Sequence, residues 1–380
     1  MNLIMEGYTP VVKTKKLYTP PACLHRTIKA EKRVYIIATG IIALRGAFME
    51  RHYARPRIVV SRCIEFDPCR YDGSRIPSPI VARLRIHADC IPVCPEVEIG
   101  LGIPRATVRI VRQDGTDHLI QPATGRDVSG EMSAFTRQFL DSLPPIDGFI
   151  LKGGSPTSGT SGVRVYPSAE KSMAIEKTAG FFGREVLKRF SHLPIEDELR
   201  LNNARIRDHF LAGIFTLAAF REVEETRDRE ALVQFHAANK YLLMACHQQR
   251  MREMGRLVAS RAKKDPNELF FHYRQMLCAA LAQVPRYTNN INVLLHTMGY
   301  FRDRVTKDEK EYLLRLIDRY KNGHATLAEP RDLLRSWVIR FQEPALLNQT
   351  FFAPYPVVLE DLPEEITDRG RDVWKGRNAH

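Results

Sequence analysis

Seven cysteines stand in this chain of 380 residues, and four of them, Cys63, Cys69, Cys90 and Cys94, crowd together in one stretch. Thiolates are soft ligands suited to zinc and to iron–sulfur clusters, so the crowding points first to metal chemistry. Cys63 and Cys69 are six residues apart and Cys90 and Cys94 four apart, and neither spacing matches the two-residue gaps of a zinc ribbon. Cys246 and Cys278 lie in helical patterns and read as ordinary buried thiols. The other four fall in or beside Pro- and Gly-rich stretches, where that reading is weaker. Glu96 follows Cys94-Pro95 directly, and Ser155 lies in a Gly- and Ser-rich segment. A carboxylate and a hydroxyl therefore accompany the thiols and can manage protons, although Glu96 also suits the first turn of a helix.

Such residues need elements to bring them together. Three apolar runs, 57–61, 91–93 and 148–152, read as strands of one parallel sheet, with helical patterns at 79–87 and 131–143 between them. The runs lack strict alternation, as strands buried on both faces should. Each passes straight into an unusual loop: 61–73 with Cys63 and Cys69, 94–96 with Cys94 and Glu96, and 153–159 with Ser155 and Ser158. In open α/β sheets the carboxyl ends of the strands form the ligand crevice, so the three loops are expected to share one site. Runs 107–112 and 118–121 flank Asp114-Gly115 and read as a hairpin. Beyond Tyr166-Pro167 the β signals vanish, and 174–190, 204–223, 229–263, 266–282, 307–322 and 330–341 carry helical spacing.

The expected architecture is therefore an α/β domain, Rossmann-like in its three layers, over 57–170. A helical linker over 171–200 and an all-α bundle over 201–360 follow. A basic extension, 1–56, precedes these and a charged tail, 361–380, ends the chain. Met49 lies just ahead of the first strand, so residues 1–48 are expected to be dispensable or to come from an upstream start codon.

The chain carries a formal charge of +13, of which residues 1–48, with eight Lys or Arg against two Glu, hold +6. The body is moderately basic, which favours a polyanionic partner. Arg250, Arg252, Arg256, Arg261, Lys263 and Lys264 crowd the end of the 229–263 pattern. They read either as the solvated face of a bundle helix or as a phosphate-contacting surface. The apolar run 34–47 is interrupted by Gly40 and Arg45 and is shorter than the roughly 20 residues of a membrane span. No membrane association is expected, and unpaired cysteines without a leader favour the cytoplasm.

The strings CRYDG (69–73), IPVCPEVEIGLGIPR (91–105), QPATGRDVS (121–129) and GFILKGGSP (148–156) resemble the thiouracil desulfurase family, also known as DUF523. FHAANKYLLMACH (235–247), MGRLVA (254–259), NVLLHTMGYF (292–301) and FFAPYPVVL (351–359) resemble the DUF1722, or YbgA-type, family. Fused proteins of this kind resemble enzymes that remove sulfur from 4-thiouridine of tRNA. The resemblance implies a 4Fe-4S cluster held by three cysteines, Glu96 as acid/base and Ser155 as a positioning hydroxyl. It places Cys63 and Cys94 among the ligands, but family members carry a third-loop cysteine where this chain has Ser158. Three outcomes are open. Cys69 or Cys90 restores the third thiolate, Ser158 or water completes a labile cluster, or the cluster is lost and an RNA-binding scaffold remains. The resemblance implies a thiolated pyrimidine, free or within tRNA, as substrate. Arg70 and Arg105 are expected near the pocket, and His236, Lys240, His296 and Tyr300 stand in the helical motifs, the two histidines more as packing residues than catalysts.

Overall fold

A computed structural model describes residues 51–260 and 265–360. The expectations for residues 1–50, Arg261, Lys263, Lys264 and the 361–380 tail lie outside the described residues. The α/β half is built on a parallel sheet in the order β2-β1-β6-β9, from β1 (Arg57–Ser61), β2 (Asp89–Val93), β6 (Gly148–Leu151) and β9 (Ile195–Asp197). Ile58, Val59, Val60, Phe149, Ile150 and Leu151 are fully buried. Their β-branched and aromatic side chains fill both faces, which is why the runs show no polar alternation. Helix α1 (Pro79–His87) links β1 to β2, and its start is set by Pro79 at the first turn.

A second, mixed sheet runs β5-β4-β3-β7-β8, from β3 (Arg109–Gln113), β4 (Thr116–Gln121), β5 (Arg126–Asp127), β7 (Val163–Tyr166) and β8 (Glu176–Thr178). Asp114 and Gly115 both have positive φ, as the expected two-residue hairpin turn requires. Helix α3 (Ser129–Ser142) covers this sheet through Met132, which packs with Ile110, Leu119, Val128, Val163 and Val165. The short turn α2 (Pro95–Glu98) follows β2.

Residues 171–200 are not a helical linker. They hold β8, helix α4 (Phe181–Phe190) and β9, and β9 adds the fourth strand to the parallel sheet beside β6. Two strands thus lie beyond Tyr166-Pro167, each only three residues long, and half or more of their residues are polar. No periodicity can emerge over such lengths.

The helical half comprises α5 (Ala204–Thr226), α6 (Arg229–Ala238), α7 (Lys240–Ala259), α8 (Pro266–Leu281), α9 (Tyr287–Met298), α10 (Lys307–Lys321), α11 (Ala328–Phe341) and the turn α12 (Pro344–Leu347). The 229–263 pattern divides at Asn239, which ends α6 and accepts the Leu243 N–H on its carbonyl. Helix α7 then kinks at His247, which leaves helical φ/ψ. The broken ladder is repaired from both sides: Asn289 donates to the Ala245 carbonyl at 3.1 Å, and His247 Nδ1 accepts the Arg250 N–H at 3.4 Å. The halves meet along α5. A Cβ on Gly148 would lie 2.8 Å from the Pro194 carbonyl oxygen and 2.9 Å from Ile214, so glycine permits the close approach. Buried Asp147 accepts from Arg221 of α5 at 3.0 Å and from the Arg57 N–H at 2.8 Å. Among the described residues no helix is long and apolar enough to cross a membrane.

Candidate active site

The parallel strands deliver their loops to one end of the sheet. Ser61 closes β1, and its hydroxyl accepts the Lys152 N–H at 2.9 Å, stitching the first loop to the third. The Arg62 N–H donates to the Val93 carbonyl at 2.8 Å, stitching the first to the second. A cavity of about 240 Å³ opens between them, lined by Cys63, Cys69, Arg70, Cys94, Glu96, Arg105, Lys152, Ser155 and Ser158 among others. Cys63, Cys69, Cys94, Glu96, Ser155 and Ser158 are therefore brought together, and the expected neighbours Arg70 and Arg105 join them.

Cys90 does not. It sits near the start of β2, paired with Ile58, at the far end of the sheet. Four residues of extended chain separate it from Cys94, roughly 13 Å at the rise of a β-strand. Burial pushes its thiol up to about 11.

The first loop doubles back on itself. The Glu65 N–H donates to the Ile76 carbonyl at 3.0 Å, the Ile76 N–H to the Cys63 carbonyl at 2.8 Å and the Asp67 N–H to the Arg62 carbonyl at 2.9 Å. Glu65 takes a left-handed φ of 64° to make the turn. This return brings Cys69, 1% exposed, within hydrogen-bond reach of both Cys63 and Cys94. The hydrogen bond to Cys63 is the main cause of an upward shift of the Cys69 thiol, with burial adding to it and Cys94 and Arg62 opposing. Cys94 is also pushed up, first by its hydrogen bond to Cys69, then by burial and by Glu96. Ionising Cys69 and Cys94 together is thus unfavourable without a cation beside them. Among the described residues no group of three or more His, Cys, Asp or Glu side chains is disposed around a single ion. Cys69 instead meets Cys63 on one side and Cys94 on the other.

Two guanidiniums flank the trio. Arg105, whose side chain is 7% exposed, donates to the Cys69 carbonyl at 2.9 Å and to the Gly102 carbonyl at 3.1 Å, and its Nη2 lies 3.9 Å from both Cys94 Sγ and Glu96 Oε2. Arg62 hydrogen-bonds to Cys69 and contacts Asp67 and Glu98, yet its buried Nε has no hydrogen-bond partner. Glu96 follows from the Cys94-Pro95 turn, in which the Val97 and Glu98 N–H groups close on the Cys94 carbonyl, and its Oε2 lies 3.5 Å from Cys94 Sγ.

The third loop is clamped from behind. The Gly180, Phe181 and Gly183 N–H groups donate to the carbonyls of Gly159, Pro156 and Thr157 at 2.8, 3.1 and 3.0 Å. A Cβ at Gly180 or Gly183 would collide with this backbone. Ser155 Oγ accepts the Thr157 and Ser158 N–H groups at 3.2 and 3.1 Å, which leaves its own proton to donate elsewhere. The Lys152 ammonium is held at 2.6 Å by Glu198, a buried carboxylate that also accepts the Gly153 N–H at 2.8 Å. Lys152 stands inside the string GFILKGGSP, but its partner Glu198 lies far along the chain, so the pair has no local signature. Arg62 likewise has no local signature, because only the folded loop turns it onto Cys69.

In the helical half, His236 accepts or donates at 3.1 Å to the buried Tyr273 hydroxyl, and burial holds its pKa down. Its contacts are those of a packing residue. His296 is exposed, with its ring 5.8 Å from that of Tyr241, and Lys240 lies 5.4 Å over the same ring. Tyr300 bonds the Tyr241 hydroxyl at 2.9 Å. Arg252 and Arg256 are exposed and Arg250 half-buried on α7, and among the described residues none of the three meets a carboxylate. A second cavity of about 480 Å³ lies in this half, around Arg331, which Asp208 and Glu360 hold at 3.1 and 2.9 Å.

A parallel α/β sheet with thiols, a carboxylate and a serine at its carboxyl end, joined to a helical domain, defines the class. The 2-thiouracil desulfurase family profile matches residues 58–198, and that of DUF1722, a family of unknown function, matches residues 240–356. The chain is 32% identical over 111 residues to the uncharacterized protein YbbK of Bacillus subtilis, covering 27% of this chain and 73% of YbbK. It is 28% identical over 161 residues to the uncharacterized protein YbgA of Escherichia coli, covering 42% of this chain and 95% of YbgA. A solved structure of the 4Fe-4S-dependent thiouracil desulfidase TudS is 28% identical and covers 39% of this chain and 93% of its own, with a TM-score of 0.30. The chain belongs to the 2-thiouracil desulfurase family, with a DUF1722 domain fused after it.

Proposed function

We propose that this protein is a desulfidase that hydrolyses the carbon–sulfur bond of a thiolated pyrimidine, either 4-thiouridine in tRNA or a free thiouracil-type base. The observation that carries the reading is the convergence of buried thiols, Glu96 and Ser155 on one cavity of about 240 Å³. The donor set fits an iron–sulfur cluster in kind: soft thiols, flanked by two guanidiniums, of which Arg62 has a buried Nε that makes no hydrogen bond and Arg105 lies 3.9 Å from Cys94 Sγ. Cys63 and Cys94 would hold it. When bound, a cluster with one iron free of protein ligands supplies a Lewis acid for the thiocarbonyl sulfur.

The remaining work falls to the chain. Water adds to the ring carbon, the hydroxyl so formed gives its proton to sulfur as the carbon–sulfur bond breaks and the carbonyl forms, and sulfur departs as hydrosulfide with the bonding pair, so no oxidant or reductant is needed. Glu96 takes the proton from water. Ser155, with its oxygen already accepting two backbone N–H groups, donates a hydrogen bond to the bound base and orients it. Lys152, fixed by Glu198, adds a positive charge at the same wall. Base extrusion from RNA needs a cationic surface for the flanking phosphates, and exposed Arg252 and Arg256 are suited to that.

The test begins with oxygen-free purification and reconstitution, followed by iron, acid-labile sulfide and visible absorption. The loaded protein is then given 4-thiouracil or 4-thiouridine-containing tRNA, and hydrosulfide release is measured. Release from one substrate alone identifies it. An iron-loaded protein that releases none from either sinks the proposal. Ser158 favours one other reading, a scaffold that binds RNA without a cluster, for which tRNA binding by a colourless, inactive protein is the expected result.

A further inference from the structure

We infer that Cys69, from the first loop, takes the place of the third-loop cysteine as the third protein ligand of the cluster, and that Ser158 stays outside its coordination. The inference rests on the desulfidase reading above. Cys69 reaches both Cys63 and Cys94, so three thiols from two loops already meet at the head of the cavity. Its backbone is anchored where a ligand must be: the Cys69 N–H donates to the Asp67 carbonyl at 2.8 Å, and Arg105 holds its carbonyl at 2.9 Å. The same Arg105 approaches Cys94 Sγ, and Arg62 approaches Cys69, so each of these thiols has a guanidinium beside it. Three thiolates buried together require that compensation.

Ser158 has none of these features. It is 3% exposed, its own N–H is spent on Ser155 Oγ, and the loop that carries it is pinned to the start of α4 by three backbone hydrogen bonds. A hydroxyl also resists the deprotonation that ligation demands, whereas a thiol surrenders its proton readily at a metal. Cys90, the other thiol in the cysteine-rich stretch, is at the opposite end of the sheet. On loading, the thiol protons of Cys63, Cys69 and Cys94 leave to solvent and three sulfur–iron bonds form, with no change in the oxidation state of the sulfurs.

The experiment compares four full-length chains, wild type, Cys69→Ser, Ser158→Cys and Cys69→Ser/Ser158→Cys, reconstituted without oxygen. Iron and sulfide per chain, the visible spectrum and the electron paramagnetic resonance of the reduced protein are read. The wild type is expected to load about four irons, Cys69→Ser to lose most of them, and the double variant to recover them with an altered resonance. Recovery in the double variant also shows that Cys69→Ser folds. A Cys69→Ser chain that keeps full iron and an unchanged resonance overturns the inference and leaves the desulfidase reading standing. A wild type that stays empty while Ser158→Cys loads overturns the inference and the desulfidase reading of this chain together. If none of the four chains takes up iron, the cluster-dependent reading itself fails, and the inference with it.

Discussion

Arg105 joins the two cysteine loops, and its removal tests whether the site is preorganised before any metal arrives. In Arg105→Ala, the Nη1 group that holds both the Cys69 and the Gly102 carbonyls is lost, and with it the guanidinium 3.9 Å from Glu96. A hydrogen bond from a charged donor contributes about 1.5–3 kcal/mol, and the 2.9 Å bond to the Cys69 carbonyl is the better formed of the two. The 3.9 Å contact with Glu96 is long and adds little. A loss of about 3 kcal/mol follows, or roughly 6–12 °C in Tm for a domain of this size. Arg105→Lys keeps the charge, but one ammonium cannot hold the carbonyls and also present a second nitrogen to Cys94 and Glu96, so about half of the loss is expected. Thermal unfolding of metal-free protein followed by circular dichroism reads both. If Arg105→Ala melts within a degree of wild type, the loops are held by something else and the account of Arg105 is wrong.

Glu198→Ala removes the acceptor for both Lys152 and the Gly153 N–H, leaving a half-buried ammonium without its anion. About 2–4 kcal/mol of stability is expected to go, with faster amide exchange at Gly153 and Gly154 by mass spectrometry, and unchanged exchange there refutes the clamp. Asp117 lies between Arg112 at 2.6 Å and Arg184 at 2.7 Å. Burial works to raise its pKa, but hydrogen bonds from the two guanidiniums prevail and hold it below the ordinary aspartate value. Its stabilisation is therefore complete above the unfolded value of about 3.9 and is lost as pH falls through the lower folded one. In urea melts, the gap between wild type and Asp117→Asn should be constant from pH 7 to 5 and close below pH 4. If the desulfidase acts on tRNA, Arg252→Ala and Arg256→Ala should weaken tRNA binding alike for all sequences. Each should also lower the slope of log K against log salt by about 1. An unchanged slope removes α7 from the RNA surface.

Much of this was written locally. The Ile58-Val59-Val60 run, Asp114-Gly115 and Pro79 each determine their own element through backbone sterics and burial, and the strand-end loops were visible because apolar runs stop abruptly at Cys-, Pro- and Gly-rich segments. Short-range patterns also placed the long helices, but not α9, nor the break at His247, which survives because Asn289 from another helix satisfies the freed carbonyl. Strands β8 and β9 were illegible, since three residues carry no period and their pairing with β7 and β6 is entirely nonlocal.

The same division runs through the site. The sequence by itself determined which residue types reach the sheet's end: thiols, Glu96 and Ser155. Only the tertiary structure decided that Cys69 meets Cys63 and Cys94 while Cys90 is carried away from them. The reason is directional. A residue's position along a parallel strand sets which end of the sheet it occupies, and the path of a loop depends on hydrogen bonds, such as those of Ile76 and Arg105, made to residues distant in the chain.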